Sequence, residues 1–355
     1  MALSRRRFLG GILGASGALV ACRAAGPREQ PTPVATPPKL LAIDMHNHVY
    51  PAGTEPHPHG VGGPPPPNNP PLGLADALTH SGFTAVCASF VLDFTEGDFY
   101  ANLTHWLDAI DAQLAAGHLR RALSAADLHA GSPTIIQSVE GSMFIAGKLE
   151  RVDEVYRRGM RHLQLLHEHD DAVAPLGDVN TGEPHLGGLT AIGADVIRAC
   201  NRLGMLVDLA HASHDTVLGA LRVATKPLIV SHTSLAGRPS GDARMAEMMR
   251  PRLITAEHAK VVADAGGVVG VWTHLASSLP DFVESIAAMV DAIGIDHVGI
   301  GTDMDLLTPK RDWTDARPSF VAATVAELQR HGFHDDEVAK LVGRNYLRVF
   351  AAAVG

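Results

Sequence analysis

Asp44-Met45-His46-Asn47-His48 closes an apolar run, Leu40-Leu41-Ala42-Ile43, that follows a proline-rich stretch. Side chains alternate along a strand, so this run predicts a buried strand that delivers His46 and His48 to one face and turns Asn47 to the other. Two imidazoles on one face can share a metal ion. The spacing alone is weak, because a chain with 20 histidines produces His-x-His pairs by chance. His57 and His59, in a Pro/Gly loop, read as such a pair. What raises the first pair is the way the later strands end.

Eight short apolar, β-rich runs recur along the chain, at 40–46, 83–90, 134–139, 162–166, 205–210, 228–231, 267–272 and 297–301. Helical candidates lie between and after them at 98–116, 149–158, 189–203, 215–223, 256–265, 282–292, 314–331 and 335–352. The last of these opens on Asp335 and Asp336, as the helix dipole favours. Alternation of strand and helix implies a parallel sheet, because each parallel crossover needs a covering helix. Eight such units fit a closed (β/α)8 TIM barrel, whose usual size is about 250 residues with room for insertions. A doubly wound open sheet is the alternative, and it lacks support from any Gly-x-Gly-x-x-Gly after the first run. The stretches 50–72 and 167–188 read as loops over the barrel mouth.

Barrel chemistry sits at the carboxyl ends of the strands. Six of the eight runs end in groups that bind metal or move protons: His46 with His48, then Glu140, His167, His211, His232 and Asp303. Burying such groups costs free energy unless they are paired, and metal coordination would satisfy them together. His46, His48, His211, His232 and Glu140 exceed what one tetrahedral zinc with an open position requires. They suit two adjacent divalent ions, bridged by Glu140 and sharing an activated hydroxide. Singly, each residue has an ordinary reading. His211 can be a hydrogen-bonded core histidine, His232 and Glu140 can cap or line loops, and Asp303 can cap a turn. Their joint occurrence at successive strand ends is what predicts a metal site.

With 355 residues, 46% of them apolar, the chain can bury a large core. Its net charge of −9, with one basic cluster at the extreme N-terminus, argues against a nucleic-acid surface. Residues 1–21 read as an export signal: Ser4-Arg5-Arg6-Arg7-Phe8-Leu9 before a Gly/Ala/Leu stretch resembles a twin-arginine signal. Leu19-Val20-Ala21-Cys22 resembles a bacterial lipobox, whose cysteine becomes the lipid-bearing first residue. Cleavage there removes three arginines and no acid, taking the net charge from −9 to −12. Residues 22–39 read as a Pro-rich tether and 40–355 as the catalytic domain, which predicts an exported protein of the cell envelope, lipid-anchored to the membrane or extracytoplasmic. No apolar run after residue 25 is long enough to span a bilayer. Cys87 and Cys200 read as buried hydrophobes and not as a disulfide.

From about residue 40 to residue 350 the chain resembles the membrane dipeptidase family, the renal-dipeptidase-like metallopeptidases of the amidohydrolase superfamily. The passages that carry the resemblance are Ser138-Val139-Glu140-Gly141, Gly188-Leu189-Thr190 through the run from Asn201 to His211, Ser231-His232-Thr233-Ser234, His297 through Asp305, and Gly343-Arg344-Asn345-Tyr346-Leu347-Arg348-Val349. The resemblance implies a TIM barrel of the metal-dependent hydrolase type and hydrolysis of dipeptide-like amides. It implies two zinc ions held by His46, Glu140, His211 and His232, with Glu140 as the bridge. His167 would contact the substrate carbonyl and Arg252 the substrate's terminal carboxylate, with Arg238, Arg244 and Arg250 as competitors. Asp303 would take and return the proton.

Two departures stand out. The family pattern at the first strand is His-x-Asp, and His48 here replaces the aspartate. A neutral ligand in its place predicts a more acidic bridging water, or a site more selective for zinc. Glu168-His169-Asp170-Asp171 replaces an asparagine-rich run and predicts a differently shaped pocket. Two rivals remain. One is another amidohydrolase reaction on acyl amino acids, lactones or phosphotriesters; many such members use a carboxylated lysine as the bridge, and none of the six lysines here ends a candidate strand. The other is a catalytically silent metal-binding lipoprotein. The number of subunits is open, a homodimer being one option.

Overall fold

The computed structural model describes residues 40–51, 53–54, 73–93, 95, 97–129, 131, 133–168, 174–237, 243–305 and 319–355. The signal-like segment, Cys22, the tether, His57, His59, His169, Asp170, Asp171, Arg238, residues 314–318 and most of the 50–72 loop lie outside the described residues.

Each of the eight expected runs overlaps a strand: β1 (Ile43–His48), β2 (Ala85–Val91), β3 (Thr134–Glu140), β4 (Met160–Gln164), β5 (Leu206–Asp208), β6 (Ile229–Thr233), β7 (Val268–Val271) and β8 (Val298–Ile300). Each pairs in parallel with the next in sequence. The ring closes just past β8, where Met304–Asp305 pairs in parallel with Asn47 and His48, and where the Asp303 N–H donates to the His46 carbonyl at 3.1 Å. The chain is a (β/α)8 barrel, and the open doubly wound sheet is excluded by that closure. A two-residue strand, Arg120–Arg121, pairs with β3 off the ring.

The alternation in β2 shows which face is which. Val86, Ala88 and Phe90 pack in the large cluster shared with the surrounding helices, whereas Ala85 and Cys87 join a smaller one. That smaller cluster also contains Ile43, Met45, Ile136, Leu206, Ile229 and Val268, one or two residues from most of the strands, together with Tyr346, Val349, Phe350 and Ala353 of the helix Asn345–Val354. The C-terminal helix therefore plugs the amino-terminal end of the barrel with apolar side chains. Higher along the same inward faces the residues turn polar: Ser89, Ser138, Glu140, His162, Gln164, Asp208 and Ser231, all buried. A register shift in the β1–β2 pairing between Asp44 and Asn47 accommodates the change from Met45, in the apolar layer, to His46 in the polar one.

The covering helices start where the sequence offers a cap. The side chains of Asp98, Thr190, Ser213, Thr255, Ser278 and Ser319 each accept from a backbone N–H of the first turn. Leu74–Ser81 and Ala243–Met249 are further helices that the sequence reading does not anticipate, too short to show a full apolar period. The expected helix 335–352 is not continuous. Asp335–Ala339 leads into a π-helical turn, Lys340–Arg344, before the α-helix resumes. Gly343 sits on that turn against the first strand, where an added Cβ would lie 2.3 Å from the Leu41 carbonyl oxygen. The close approach requires glycine and re-aims the helix into the barrel floor. Cys87 and Cys200 are both buried and unpaired. No helix among the described residues is long and apolar enough to cross a membrane.

Candidate metal centre

Glu140 ends β3 inside the barrel, 1% exposed. Its Oε2 lies 3.4 Å from His46 Nε2 and 3.8 Å from His48 Nε2. Its Oε1 lies 3.4 Å from the Nε2 atoms of both His211 and His232. Oε2 thus faces two imidazoles and Oε1 three, because His167 Nε2 also lies 3.6 Å from Oε1. Three groups of side chains bring their ligand atoms within 4.8 Å of one another: His46, His48 and Glu140; Glu140, His211 and His232; and His46, His232 and Asp303. Residues from β1, β3, the end of β5, β6 and the end of β8 therefore meet at one rim.

A second layer of contacts orients these ligands. Ser89 Oγ is 3.3 Å from His46 Nδ1 and Ser231 Oγ is 2.9 Å from His232 Nδ1, which leaves Nε2 of each ring to point at Glu140. Gln164 Nε2 donates to Glu140 Oε1 at 3.3 Å. Asp208 accepts from the Ser231 N–H at 2.9 Å and so steadies the residue that steadies His232. His211 and Asp303 have φ of +67° and +54°, and Ala146 is the other non-glycine residue with positive φ among the described residues. Backbone strain is thus concentrated where the rim turns back into the barrel.

Two residues that the sequence reading missed complete the ring. Asp93 follows β2, and its Oδ2 is 2.6 Å from His167 Nδ1. His274 follows β7, and its Nε2 is 2.7 Å from Asp303 Oδ2. Asp303 Oδ1 is 2.8 Å from His48 Nε2, so the carboxylate is held between two imidazoles. With Asp93 and His274 added, all eight strands lead into a metal-binding or proton-moving side chain. A search that extended two or three residues beyond each apolar run would have found both.

The sequence matches the family described as membrane dipeptidase, peptidase family M19, over residues 101–354. The chain belongs to the membrane dipeptidase family. It is 30% identical over 217 residues to dipeptidase verJ of Clonostachys rogersoniana, a match that covers 59% of this chain and 53% of that one. The chain spans about half the length of the curated relatives it matches. In fold it is similar to the probable dipeptidase PvdM of Pseudomonas aeruginosa, with a TM-score of 0.71 at 17% identity over 88% of this chain and 95% of that one. It is similar too to a metallopeptidase of Rhodobacter sphaeroides solved with a phosphinate mimic of L-Ala-D-Ala, with a TM-score of 0.68 at 19% identity over 88% and 99% of the two chains.

For a membrane dipeptidase family member the fit of the rim to cations can be tested on its own atoms. His46 Nε2 and Glu140 Oε2 are buried without a hydrogen-bond partner, although they face each other. The Nε2 atoms of His211 and His232 meet at 2.9 Å, a contact in which two neutral rings can share only one proton. Cations bound between these groups and Glu140 would satisfy all of them, so the donor set fits a pair of divalent ions. The charge states agree. Burial pulls His211 down to about 4 against the opposing pull of Glu140, which keeps it neutral and ligand-ready. Burial would raise the Glu140 carboxyl, but the charges of His167 and His46 and hydrogen bonds from His211 and His232 hold it well below the usual range. Burial lowers His167 too, yet Glu140, and Asp93 through its bond and charge, push it up to about 9.

Of the arginines considered from sequence, Arg252 lies beside this rim. Its Nε donates to Glu168 Oε1 at 2.8 Å, and its Nη2 makes a second bond to the same oxygen. Arg250 pairs on the surface with Glu247. Arg244 lies in the helix Ala243–Met249, two turns before Arg252.

Proposed function

We propose that this chain is a binuclear metallo-dipeptidase that hydrolyses the amide bond of dipeptides or dipeptide-like molecules, with two zinc ions as cofactor. The observation that carries this reading is the position of Glu140, one oxygen toward His46 and His48 and the other toward His211 and His232. Membership of the dipeptidase family supports it, as does the dipeptide mimic bound to the structurally similar Rhodobacter enzyme. Held by these five residues, the ions would polarise the scissile carbonyl and bring the pKa of a shared water toward neutrality.

The chain's own groups do the rest. Asp303, held at Oδ2 by His274, takes the proton of the attacking water and returns it to the leaving amine. His167, anchored at Nδ1 by Asp93, donates from Nε2 to the oxygen that gains charge at the scissile carbonyl. The buried Trp272 ring packs beside the site, its centroid 6.2 Å from that of His232 and 5.1 Å from that of His274. In this reading the mature protein is attached to the cell envelope through Cys22.

The test is metal content of the purified domain by mass spectrometry, with turnover of a dipeptide panel before chelation, after it, and after zinc is restored. Two metals per chain with zinc-dependent dipeptide cleavage is the expected result. Hydrolysis of lactones but not dipeptides, or full metal loading without turnover, would overturn the assignment.

A further inference from the structure

We propose that Tyr50 is a positioning residue of the metal centre: its hydroxyl partners Nδ1 of His48 and so holds Nε2 of that ring toward the cation shared with His46 and Glu140. The inference rests on the two-cation reading above and deepens it by naming what orients His48.

Tyr50 Oη lies 3.4 Å from His48 Nδ1, and the two rings are nearly parallel, 6° apart with centroids separated by 6.0 Å. Nε2 of the same imidazole is 3.8 Å from Glu140 Oε2 and 2.8 Å from Asp303 Oδ1. The tyrosine is itself locked. Its ring meets Phe90 edge-on at 6.3 Å, and Phe90 stacks at 5.6 Å on the fully buried Trp106. Trp106 Nε1 donates at 2.8 Å to the Val49 carbonyl, and the Val49 N–H donates at 3.4 Å to the Ser89 carbonyl. The backbone between His48 and Tyr50 is therefore pinned at two points, and a chain of aromatic rings fixes where the hydroxyl sits.

A neutral imidazole that binds a cation through Nε2 carries its proton on Nδ1 and needs an acceptor there. Hydroxyls stand at that atom in three of the rim's imidazole ligands: Ser89 at His46 (3.3 Å), Ser231 at His232 (2.9 Å) and Tyr50 at His48. A hydroxyl both donates and accepts, so it satisfies Nδ1 whether the ring proton sits there or on Nε2 facing Asp303. His211 differs. Its Nδ1 is buried with no hydrogen-bond partner among the described residues, and it is held through its backbone, where the Asn180 N–H donates to its carbonyl at 2.8 Å. His48 needs a side-chain partner most, because its side chain is 19% exposed while those of His46 and His232 are 0% exposed. Packing confines it least, so the hydroxyl has the most to hold.

The experiment titrates zinc, in competition with a chromophoric chelator, into metal-free wild type, Tyr50→Phe, His48→Ala and the double variant. Tyr50→Phe keeps the ring and loses only the hydroxyl. It should bind one of the two zinc ions about 10-fold more weakly, the lower end of the range for such partners because 3.4 Å is long for this bond. Its metal-free Tm should match that of wild type. His48→Ala should weaken the same ion at least as much, and adding Tyr50→Phe to it should change nothing further. In zinc-loaded wild type, the nitrogen-15 shifts of the His48 ring should place its proton on Nδ1, a measurement that decides the matter should the phenylalanine variant fold poorly. Zinc affinity in Tyr50→Phe within about 2-fold of wild type overturns the proposal, whether or not the metal-free Tm falls. So does an equal loss on removing the hydroxyl from His48→Ala, or a proton on His48 Nε2 in the loaded protein. Coupled zinc binding without cleavage of any dipeptide would sink the dipeptidase reading and keep this inference. Dipeptide cleavage with zinc affinity indifferent to Tyr50 would do the reverse.

Discussion

Asp208→Asn is the substitution whose consequence follows most directly from the coordinates. Asp208 ends β5, fully buried; one oxygen accepts from the N–H groups of Ala210 (3.0 Å) and Ser231 (2.9 Å), and the other is 3.1 Å from His162 Nε2. Burial opposes ionisation, but the bond from His162, the pull of His162 and His232, and Ser231 lower the carboxyl from 3.8 to about 2. At roughly 1.4 kcal/mol per unit, this depression contributes about 2 kcal/mol to folding. Because the folded value lies below the unfolded one, that stability is fully present above about pH 4 and is lost as pH falls toward 2. Asparagine keeps the shape and the acceptor for Ser231 and Ala210 but not the charge. The metal-free variant should therefore unfold about 2 kcal/mol more easily than metal-free wild type near neutrality, with the gap narrowing below about pH 4. Urea titrations of both proteins across that range measure the gap. One that stays constant from about pH 6 to about pH 3, or never reaches about 1 kcal/mol, would refute the assignment of the charge to Asp208.

Three shorter expectations concern the site and the thiols. Asp303→Ala should lower turnover by about 10²- to 10⁴-fold while metal content by mass spectrometry stays near that of wild type, and loss of metal would reassign Asp303 from proton transfer to coordination. His274→Ala, which frees one Asp303 oxygen, should lower kcat by about 10- to 100-fold with KM little changed; an unaltered kcat would make the 2.7 Å contact incidental. Cys87 and Cys200 are both 0% exposed, and burial pushes the Cys200 thiol up to about 12, so neither should react with iodoacetamide until the protein is unfolded. Labelling of native protein at either position would contradict the packing.

How much of this was legible beforehand varied with distance along the chain. Strand ends are local features, so His46, Glu140, His211 and His232 could be brought to one rim from their places at the ends of successive apolar runs. The register shift that turns His46 inward after Met45 could not be read from alternation. Asp93 and His274 escaped because they lie two and three residues past Val91 and Val271, beyond the reach of a period-two argument. The Glu168–Arg252 pair joins positions 84 apart. The sequence flags Glu168 as unusual without naming its partner, because only the closed ring brings the β4 and β6 rims together. The break in the last helix was equally hidden. Helix-forming residues run through Gly343, and the π turn there answers to the Leu41 carbonyl, some three hundred residues earlier.

The replacement at position 48 looked from sequence like the loss of one negative charge, and the structure shows what the imidazole does instead. His48 Nε2 sits 2.8 Å from Asp303 Oδ1 and 3.8 Å from Glu140 Oε2, between two carboxylates. Restoring the acid with His48→Asp would bring a third carboxylate to within about 4 Å of Asp303, where like charges repel by about 4 kcal/mol at an effective dielectric of about 20. Cations at the rim would cancel that repulsion. His48→Asp should therefore destabilise the metal-free protein by a few kcal/mol and the zinc-loaded protein much less, widening the difference in Tm between the two forms. Equal destabilisation of both forms would mean that position 48 does not face the ions, and that the imidazole serves only as a neutral partner for Asp303.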